Sequence, residues 1–401
     1  MKNYTIISNC RVCNSDNIKE ILDLNEQPLA NNYLEAPDET EECFPLKLNL
    51  CLNCYHTQLS VVVNPDLMFK NYLYVSGTSK TLHEYFDKFV EICESYSNKK
   101  GKILDIACND GTQLDKFKKS GWKTFGIDPA ENLYNLSSKS HNVICGYFNK
   151  ENCNKFTSKF NLITAQNVFA HVDKVHEFLE NCYSILEENG LVFIQTSQAD
   201  MILNSQFDTI YHEHLSFFNT NSMKICANKN GFSLIDVKKT KIHGGSYVFV
   251  LKKGKHSENL SEIEIKNEEK NGIYDLRLYE KYSENCKKVV TDFKRKIQRL
   301  QEDKFKVIGY GAAAKGNTFL NFSKIKLDYI IDDNQLKQNK FTPGMKIPIK
   351  SIKRLKDEEL NNIFIVPLAW NFFNEIKLRT NDYCKDSLSF IKYFPKLEVV
   401  K

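Results

Sequence analysis

Residues 103–128 limit most strongly what this chain can fold into. Ile103-Leu104-Asp105-Ile106 reads as a short apolar strand, Ala107-Cys108-Asn109-Asp110-Gly111 as a turn, and Gly126-Ile127-Asp128 as a second strand ending on a carboxylate. A strand, a turn, a helix and a strand closed by an acid make the opening of an α/β unit for a nucleoside ligand, whose ribose hydroxyls the acid can bind. The turn lacks a full glycine series: Ala107 and Asn109 stand where glycines are commonest, and Gly111 remains. Ala107 is still small enough for close backbone approach, and asparagine tolerates left-handed conformations better than most residues. Taken alone, the turn is equally an ordinary strand–helix connection with a surface aspartate.

The downstream pattern lifts that reading. Thr124–Ile127, Asn142–Cys145, Leu162–Ala165 and Leu191–Gln195 continue as strand candidates with helical segments between them. Such alternation predicts a mainly parallel, doubly wound α/β sheet. Phe232–Lys238 and Ser246–Lys252 follow with no helix between them and are expected to close the sheet with an antiparallel edge. Before this unit, residues 1 to about 65 hold short alternating runs such as Phe44-Pro45-Leu46-Lys47-Leu48. Leu82, Phe86, Phe89, Val90 and Cys93 then share one helical face. After it, Tyr274, Leu278, Tyr282, Val289, Val290 and Phe293 recur at helical spacing in a charge-rich stretch, predicting one or two bridging helices. A third strand–helix–strand unit opens at Phe305-Lys306-Val307-Ile308-Gly309-Tyr310-Gly311. The expected division is 1–77, 78–256, 257–304 and 305–401.

Cys10-x-x-Cys13 and Cys51-x-x-Cys54 are two knuckles, each bringing two sulfurs to one point through a tight turn. Four thiolates suit a tetrahedral Zn²⁺, and a site filled by sulfur is closed, hence structural. The chain has thirteen cysteines, an odd number, and Met1-Lys2-Asn3-Tyr4-Thr5 leads into no apolar signal core. Reduced thiols and a cytoplasmic setting are therefore expected over a disulfide framework. The net charge of +5 is spread among interspersed acids and bases, and no apolar run is long enough to cross a bilayer. Neither a nucleic-acid partner nor membrane insertion is expected.

Two further segments offer acid–base chemistry. Gln166-Asn167-Val168-Phe169-Ala170-His171 follows the fourth strand, and polar residues at the carboxyl end of a parallel strand face the ligand crevice. His171 by itself is either a crevice residue or a hydrogen-bonded core histidine. Tyr211-His212-Glu213-His214 sets two imidazoles beside a carboxylate and a phenol. On residues alone three readings stay open. One is a metal site, although no third ligand is evident. The others are a packed structural network and a general base with orienting partners.

Taken together, several segments resemble the S-adenosylmethionine-dependent C-methyltransferases of nucleotide-linked keto sugars. They are the paired N-terminal cysteines, Tyr72-Leu73-Tyr74-Val75-Ser76-Gly77-Thr78-Ser79, Asn109-Asp110-Gly111-Thr112 and Gly126-Ile127-Asp128-Pro129-Ala130. Asn167-Val168-Phe169-Ala170-His171-Val172, Phe207-Asp208-Thr209-Ile210-Tyr211-His212-Glu213-His214 and His243-Gly244-Gly245-Ser246 follow, and then Gly309-Tyr310-Gly311-Ala312-Ala313-Ala314-Lys315-Gly316-Asn317. The resemblance spans nearly the whole chain. It implies a central class I methyltransferase Rossmann-like sheet, an N-terminal zinc-ribbon-like domain and a smaller C-terminal α/β domain that seats a nucleotide-sugar. It implies S-adenosylmethionine held by Asp105, Ala107, Asn109, Gly111, Asp128, Gln166 and Asn167, besides the structural Zn²⁺.

The same resemblance implies His214 as general base, with Tyr211, Glu213 and His171 beside it and Tyr72 or Tyr74 in the site. The implied reaction is methylation of the carbon α to the keto group of a dTDP-type 4-keto sugar, through an enolate, by a monomer or small homo-oligomer. Two stretches depart from the family pattern. Asp105-Ile106-Ala107 replaces a common Glu-Ile-Gly, and Gln195-Thr196-Ser197-Gln198 replaces a Glu-x-Pro-Tyr-like segment at a strand end aimed at the sugar. A different reading comes from Gly309-x-Gly311-x-x-Ala314 with Asp332 about twenty residues on, which satisfies a dinucleotide fingerprint and would suit an NAD-dependent sugar dehydrogenase or epimerase. O-methylation is a further alternative on the same fold and donor.

Overall fold

The structure, a computed structural model, describes residues 3–69, 77, 80–97, 99–196, 200–256, 260–385 and 388–401. The first strands are β1 (Tyr4–Ile6), β2 (Ile18–Pro28), β3 (Cys43–Cys51), β4 (Thr57–Leu59) and β5 (Val61–Val63). β3 turns Phe44, Leu46, Leu48 and Leu50 inward, the period-two burial of a strand with one face on a core. It pairs antiparallel with β2 and β4, while β1 pairs with β5.

Helix α1 (Asp66–Phe69) precedes α2 (Lys80–Glu94), whose Leu82, Phe86, Phe89, Val90 and Cys93 are buried together against the next sheet. That sheet is built from β6 (Lys102–Ile106), α3 (Thr112–Lys119), β7 (Lys123–Asp128), α4 (Glu131–Ser137), β8 (Asn142–Cys145), α5 (Lys150–Cys153), β9 (Phe160–Gln166), α6 (Val175–Ile185) and β10 (Leu186–Thr196). After β11 (Ser216–Phe217) come α7 (Thr220–Lys229), β12 (Phe232–Thr240) and β13 (Ser246–Lys253). The seven strands run in the order β12-β13-β10-β9-β6-β7-β8. The sheet closes with the expected antiparallel edge. The antiparallel strand β13 lies one place inside the edge, paired to β10 and β12, and β12 forms the edge. Burial explains the placement: β13 is apolar and buried on both faces, whereas β12 carries Lys238 and Lys239 exposed.

β11 does not join that sheet. Ser216 pairs with Gln58, so the chain leaves the central sheet after β10 and adds a strand to the zinc-side sheet, in the order β11-β4-β3-β2. The stretch between β10 and β11 carries Tyr211–His214 and is thereby tied at both ends to different sheets.

Two bridging helices follow, α8 (Ser261–Lys270) and α9 (Leu276–Glu302). Then come β14 (Lys306–Tyr310), α10 (Ala314–Ser323), β15 (Ile330–Ile331), β16 (Ile349–Lys350), β17 (Ile363–Pro367), α11 (Phe373–Cys384), β18 (Ser389–Lys392) and β19 (Glu398–Val400). Their sheet, β16-β15-β14-β17-β18-β19, is parallel except for β19. The chain winds one way from β14 to β15 and the other way to β17, which leaves a crevice at the carboxyl ends of β14 and β17.

One core joins four segments of the chain. Leu22, Leu24, Leu46 and Leu48 of the zinc-side sheet, Phe207 and Ile210 of the 201–217 stretch, Tyr282, Phe293 and Ile297 of α9, and Phe319 of α10 are buried in a single cluster. The Phe207 ring stacks on Phe319 at 5.7 Å and meets Phe394 edge-on at 5.8 Å. Truncating Phe207 to Ala should cost about 3–5 kcal/mol, through lost transfer energy and the cavity left behind. Denaturant unfolding of Phe207→Ala should show a lowered midpoint, and a midpoint equal to the parent's would refute the shared core.

Candidate active site

A cavity of about 1660 Å³ is walled by the zinc-side loop 29–33, the carboxyl ends of β6, β7 and β9, the 211–214 stretch, and the crevice of the C-terminal sheet. Sites for one small ligand run to about 300–1,000 Å³, so this space suits two ligands side by side.

On the central-sheet side, Asp128 ends β7. One of its carboxylate oxygens accepts from the Asn109 amide and the other from the Ala130 amide, each at 2.8 Å, which leaves lone pairs for further donors. Burial pushes its carboxyl above the usual range. Asp105 accepts from the Thr164 hydroxyl at 2.6 Å, and burial raises its carboxyl to about 7. Ala107 (φ 59), Asn109 (φ 52) and Asn167 (φ 54) all hold left-handed backbone at these strand ends. For Ala107 that conformation is strained, a cost of order 1–3 kcal/mol that surrounding structure must sustain. Gln166 donates to Gln113 at 3.0 Å while its own carbonyl oxygen is buried without a partner among the described residues. Asp105, Ala107, Asn109, Asp128, Gln166 and Asn167 all line the cavity. Gly111 does not: at φ 87 it packs against Ser137 and His141, and its role is the turn into α3.

On the opposite side, Tyr211, Glu213 and His214 face the cavity together with His171. His212 turns the other way, its ring edge-on to Phe44 at 5.7 Å. The His214 Nδ1 lies 2.7 Å from the Thr209 carbonyl, which can only accept, so Nδ1 carries the proton and Nε2 has the lone pair. Nε2 lies 3.0 Å from the Tyr211 hydroxyl. Burial, reinforced by His171, holds the His214 imidazole far below its usual range, so it is neutral at physiological pH. The His171 ring is 5.0 Å from that of His214, and burial lowers its own imidazole to about 4. Glu213 accepts from the Asn31 side chain at 2.6 Å, and burial lifts its carboxyl to about 7. Tyr72, Tyr74, Ser197 and Gln198 lie outside the described residues. Gln195 is buried and accepts from the Tyr85 hydroxyl.

Residues that sequence reasoning left without a role also line the cavity: Asn31, Tyr33, His243, Lys315 and Lys337. A lysine inside the apolar, small-residue run 309–317 was a readable signal. Asn31, in a polar loop, offered none. The fingerprint Asp332 closes its own loop, accepting from the Ala312 amide at 2.7 Å.

The four cysteine sulfurs lie within 4.8 Å of one another, with Cys10–Cys54 and Cys13–Cys51 at 3.5 Å. Tetrahedral zinc with bonds of about 2.3 Å needs sulfurs about 3.8 Å apart, so the set fits. Arg11, inside the first knuckle, is buried and reaches out of it. It donates to the Leu59 carbonyl at 3.1 Å, the Leu215 carbonyl at 3.3 Å and Asp173 at 3.1 Å.

Family models agree with this layout. One described as a putative zinc binding domain matches residues 10–69, a methyltransferase domain matches 79–237, and a C-methyltransferase C-terminal domain matches 241–395. The C-methyltransferase NovU of Streptomyces niveus is 28% identical over 409 residues, covering 98% of this chain and 97% of its own. The chain belongs to the S-adenosylmethionine-dependent C-methyltransferases. A ubiquinone biosynthesis O-methyltransferase of Glaesserella parasuis is 32% identical over 105 residues, which is 24% of this chain and 44% of that protein. A solved SAM-dependent methyltransferase from Archaeoglobus fulgidus gives a TM-score of 0.38 at 15% identity, covering 43% of this chain and 94% of its own. Methyl transfer replaces the dehydrogenase reading of the 309–314 fingerprint. Among the described residues, no helix of this C-methyltransferase is long and apolar enough to cross a membrane.

Two measurements follow for the C-methyltransferase. Metal analysis of the purified protein should find one zinc per chain, and Cys51→Ser should lose it and unfold at lower temperature; full zinc retention in the variant would refute the four-sulfur site. Glu213 sets the second. Its folded pKa of about 7 exceeds an unfolded value near 4.3, so the folded state keeps a proton that the unfolded chain releases. This contribution to stability is complete below about pH 4 and is lost as pH rises through about 7. Relative to the parent, Glu213→Gln should therefore gain in unfolding midpoint between pH 5 and pH 8, and a constant difference would refute the shift.

Proposed function

We propose that this C-methyltransferase methylates the carbon α to the keto group of a nucleotide-linked, dTDP-type 4-keto sugar, with His214 as general base, in surface-glycan or natural-product sugar biosynthesis. The observation that carries the reading is the Thr209 carbonyl at 2.7 Å from His214 Nδ1, which leaves the lone pair on Nε2 of this neutral, cavity-lining imidazole. A proton α to a ketone is acidic enough for an imidazole when the enolate oxygen is stabilised. S-adenosylmethionine supplies an electrophilic methyl on sulfonium. The unpartnered Gln166 carbonyl, the left-handed turns at Ala107 and Asn109, and Asp128 with spare lone pairs fit it, and we assign its binding to Asp105, Ala107, Asn109, Asp128, Gln166 and Asn167.

In this reading Nε2 of His214 takes the α-proton, and the Tyr211 hydroxyl, 3.0 Å away in the free protein, turns to the substrate oxygen. Glu213, with its proton retained up to about pH 7, donates to a sugar oxygen, and His171 closes the wall behind. The chain's main contribution is alignment of donor and acceptor carbon. Residues 1–77 form the zinc-binding unit, 78–256 hold the donor, 257–304 bridge, and 305–401 seat the nucleotide. The last role is supported by the crevice at β14 and β17, where Gly311 stands so close to Ala369 that a Cβ would sit 2.8 Å away. We place the protein in the cytoplasm.

His214→Gln should lower methyl transfer to a dTDP-linked 4-keto-6-deoxyhexose by about 10²–10⁴-fold, the usual worth of a general base. Its affinity for S-adenosylhomocysteine by calorimetry should stay at the parent value. Parent-level turnover in this variant would remove His214 from the role.

A further inference from the structure

α10 opens at the carboxyl end of β14, and Lys315 lies in its first turn with its side chain directed into the cavity wall. Its Nζ donates to the His243 carbonyl at 3.1 Å and lies 5.2 Å from the centre of the Trp370 ring. Trp370 donates through Nε1 to Asp208 at 2.6 Å, and Asp208 precedes Thr209, whose carbonyl fixes the His214 tautomer. Gly244 is required beneath Trp370, since a Cβ there would come within 2.7 Å of the indole. The lysine is thus aimed by three segments that also frame His214. Among the described residues no carboxylate oxygen lies within ion-pair distance of Nζ, and the second Asp208 oxygen is buried without a hydrogen-bond partner.

The surrounding groups make that ammonium unusual. Burial lowers His171 and His243 to about 4 and holds His214 far below its ordinary range, and the Lys315 charge adds to the effect on both His214 and His243. Burial also weakens the hold of Lys315 on its proton, and Asp208 opposes that effect. A cation among neutral imidazoles favours the step in which negative charge appears next to it.

We propose that Lys315 is a further catalytic residue, its ammonium binding the substrate oxygen on which negative charge develops when the α-proton leaves. The assignment rests on the enolate reading above. The α carbon–hydrogen bond breaks, its proton passes to His214 Nε2, and its electron pair moves into the enolate, whose oxygen Nζ holds. That pair then forms the new carbon–carbon bond as the methyl leaves sulfur, which keeps the electrons of the broken carbon–sulfur bond. The ammonium gains and loses no proton.

The test uses full-length protein saturated with S-adenosylhomocysteine, so that no methyl can move, and a dTDP-linked 4-keto-6-deoxyhexose in D₂O. NMR then follows exchange of the α-proton. Lys315→Met should slow exchange by about 10²–10³-fold, the worth of one oxyanion donor, and Lys315→Arg should recover part of the loss. Both variants should keep the parent's S-adenosylhomocysteine affinity, which certifies the fold. In methyl transfer the loss should fall on kcat. Exchange at the parent rate in Lys315→Met, or a loss confined to KM as for a phosphate-holding lysine, overturns this assignment and leaves the general base standing. Absence of exchange in the unaltered protein overturns both.

Discussion

The arrangement depends on a single burial event. From the end of β10 through β11 the chain sinks Phe207, Ile210, Leu215 and Phe217 into a core shared with the zinc-side sheet, and Phe207 extends that contact to α10. Apolar burial is non-directional, yet four large side chains in a close-packed core leave a short segment few conformations. The polar residues of the same stretch inherit that order. Tyr211, Glu213 and His214 are turned to the cavity while His212 is turned toward Phe44. The functional motif is thus placed by its apolar neighbours.

Electrostatics follow from the same burial. Three imidazoles, at 171, 214 and 243, sit where solvent cannot support a positive charge, and all three are driven toward the neutral form. Two carboxyls, Asp105 and Glu213, are driven toward the protonated form. Around His214, therefore, hydrogen-bond donors and the Lys315 ammonium count for more than they would in water.

Much of this was readable in the residues. The alternation of strands from 103 to 196 carried the central sheet, because period and turn signals there are local. The paired cysteines carried the metal site, because each CxxC turn is a local pattern even though the two knuckles meet only in the fold. What was not readable is what depends on contacts far apart in the chain. Gly111 was legible as a turn glycine, but that a Cβ there would press on Ser137 and His141 was not. Asn31 meets Glu213 across 182 positions, and no local pattern announces such a pair. Lys315 stood out by charge, but its neighbours Trp370 and Asp208 are joined only by the fold.

Arg11 gives the metal a reason to be where it is. Its guanidinium leaves the first cysteine knuckle and grips the carbonyl next to His214 and the carboxylate two positions beyond His171. A cation that never meets the substrate therefore acts as a keystone: the ion fixes the knuckle, the knuckle fixes the arginine, and the arginine keeps two loops from drifting apart. A lineage shedding its zinc would have to rebuild that brace before it could keep the chemistry.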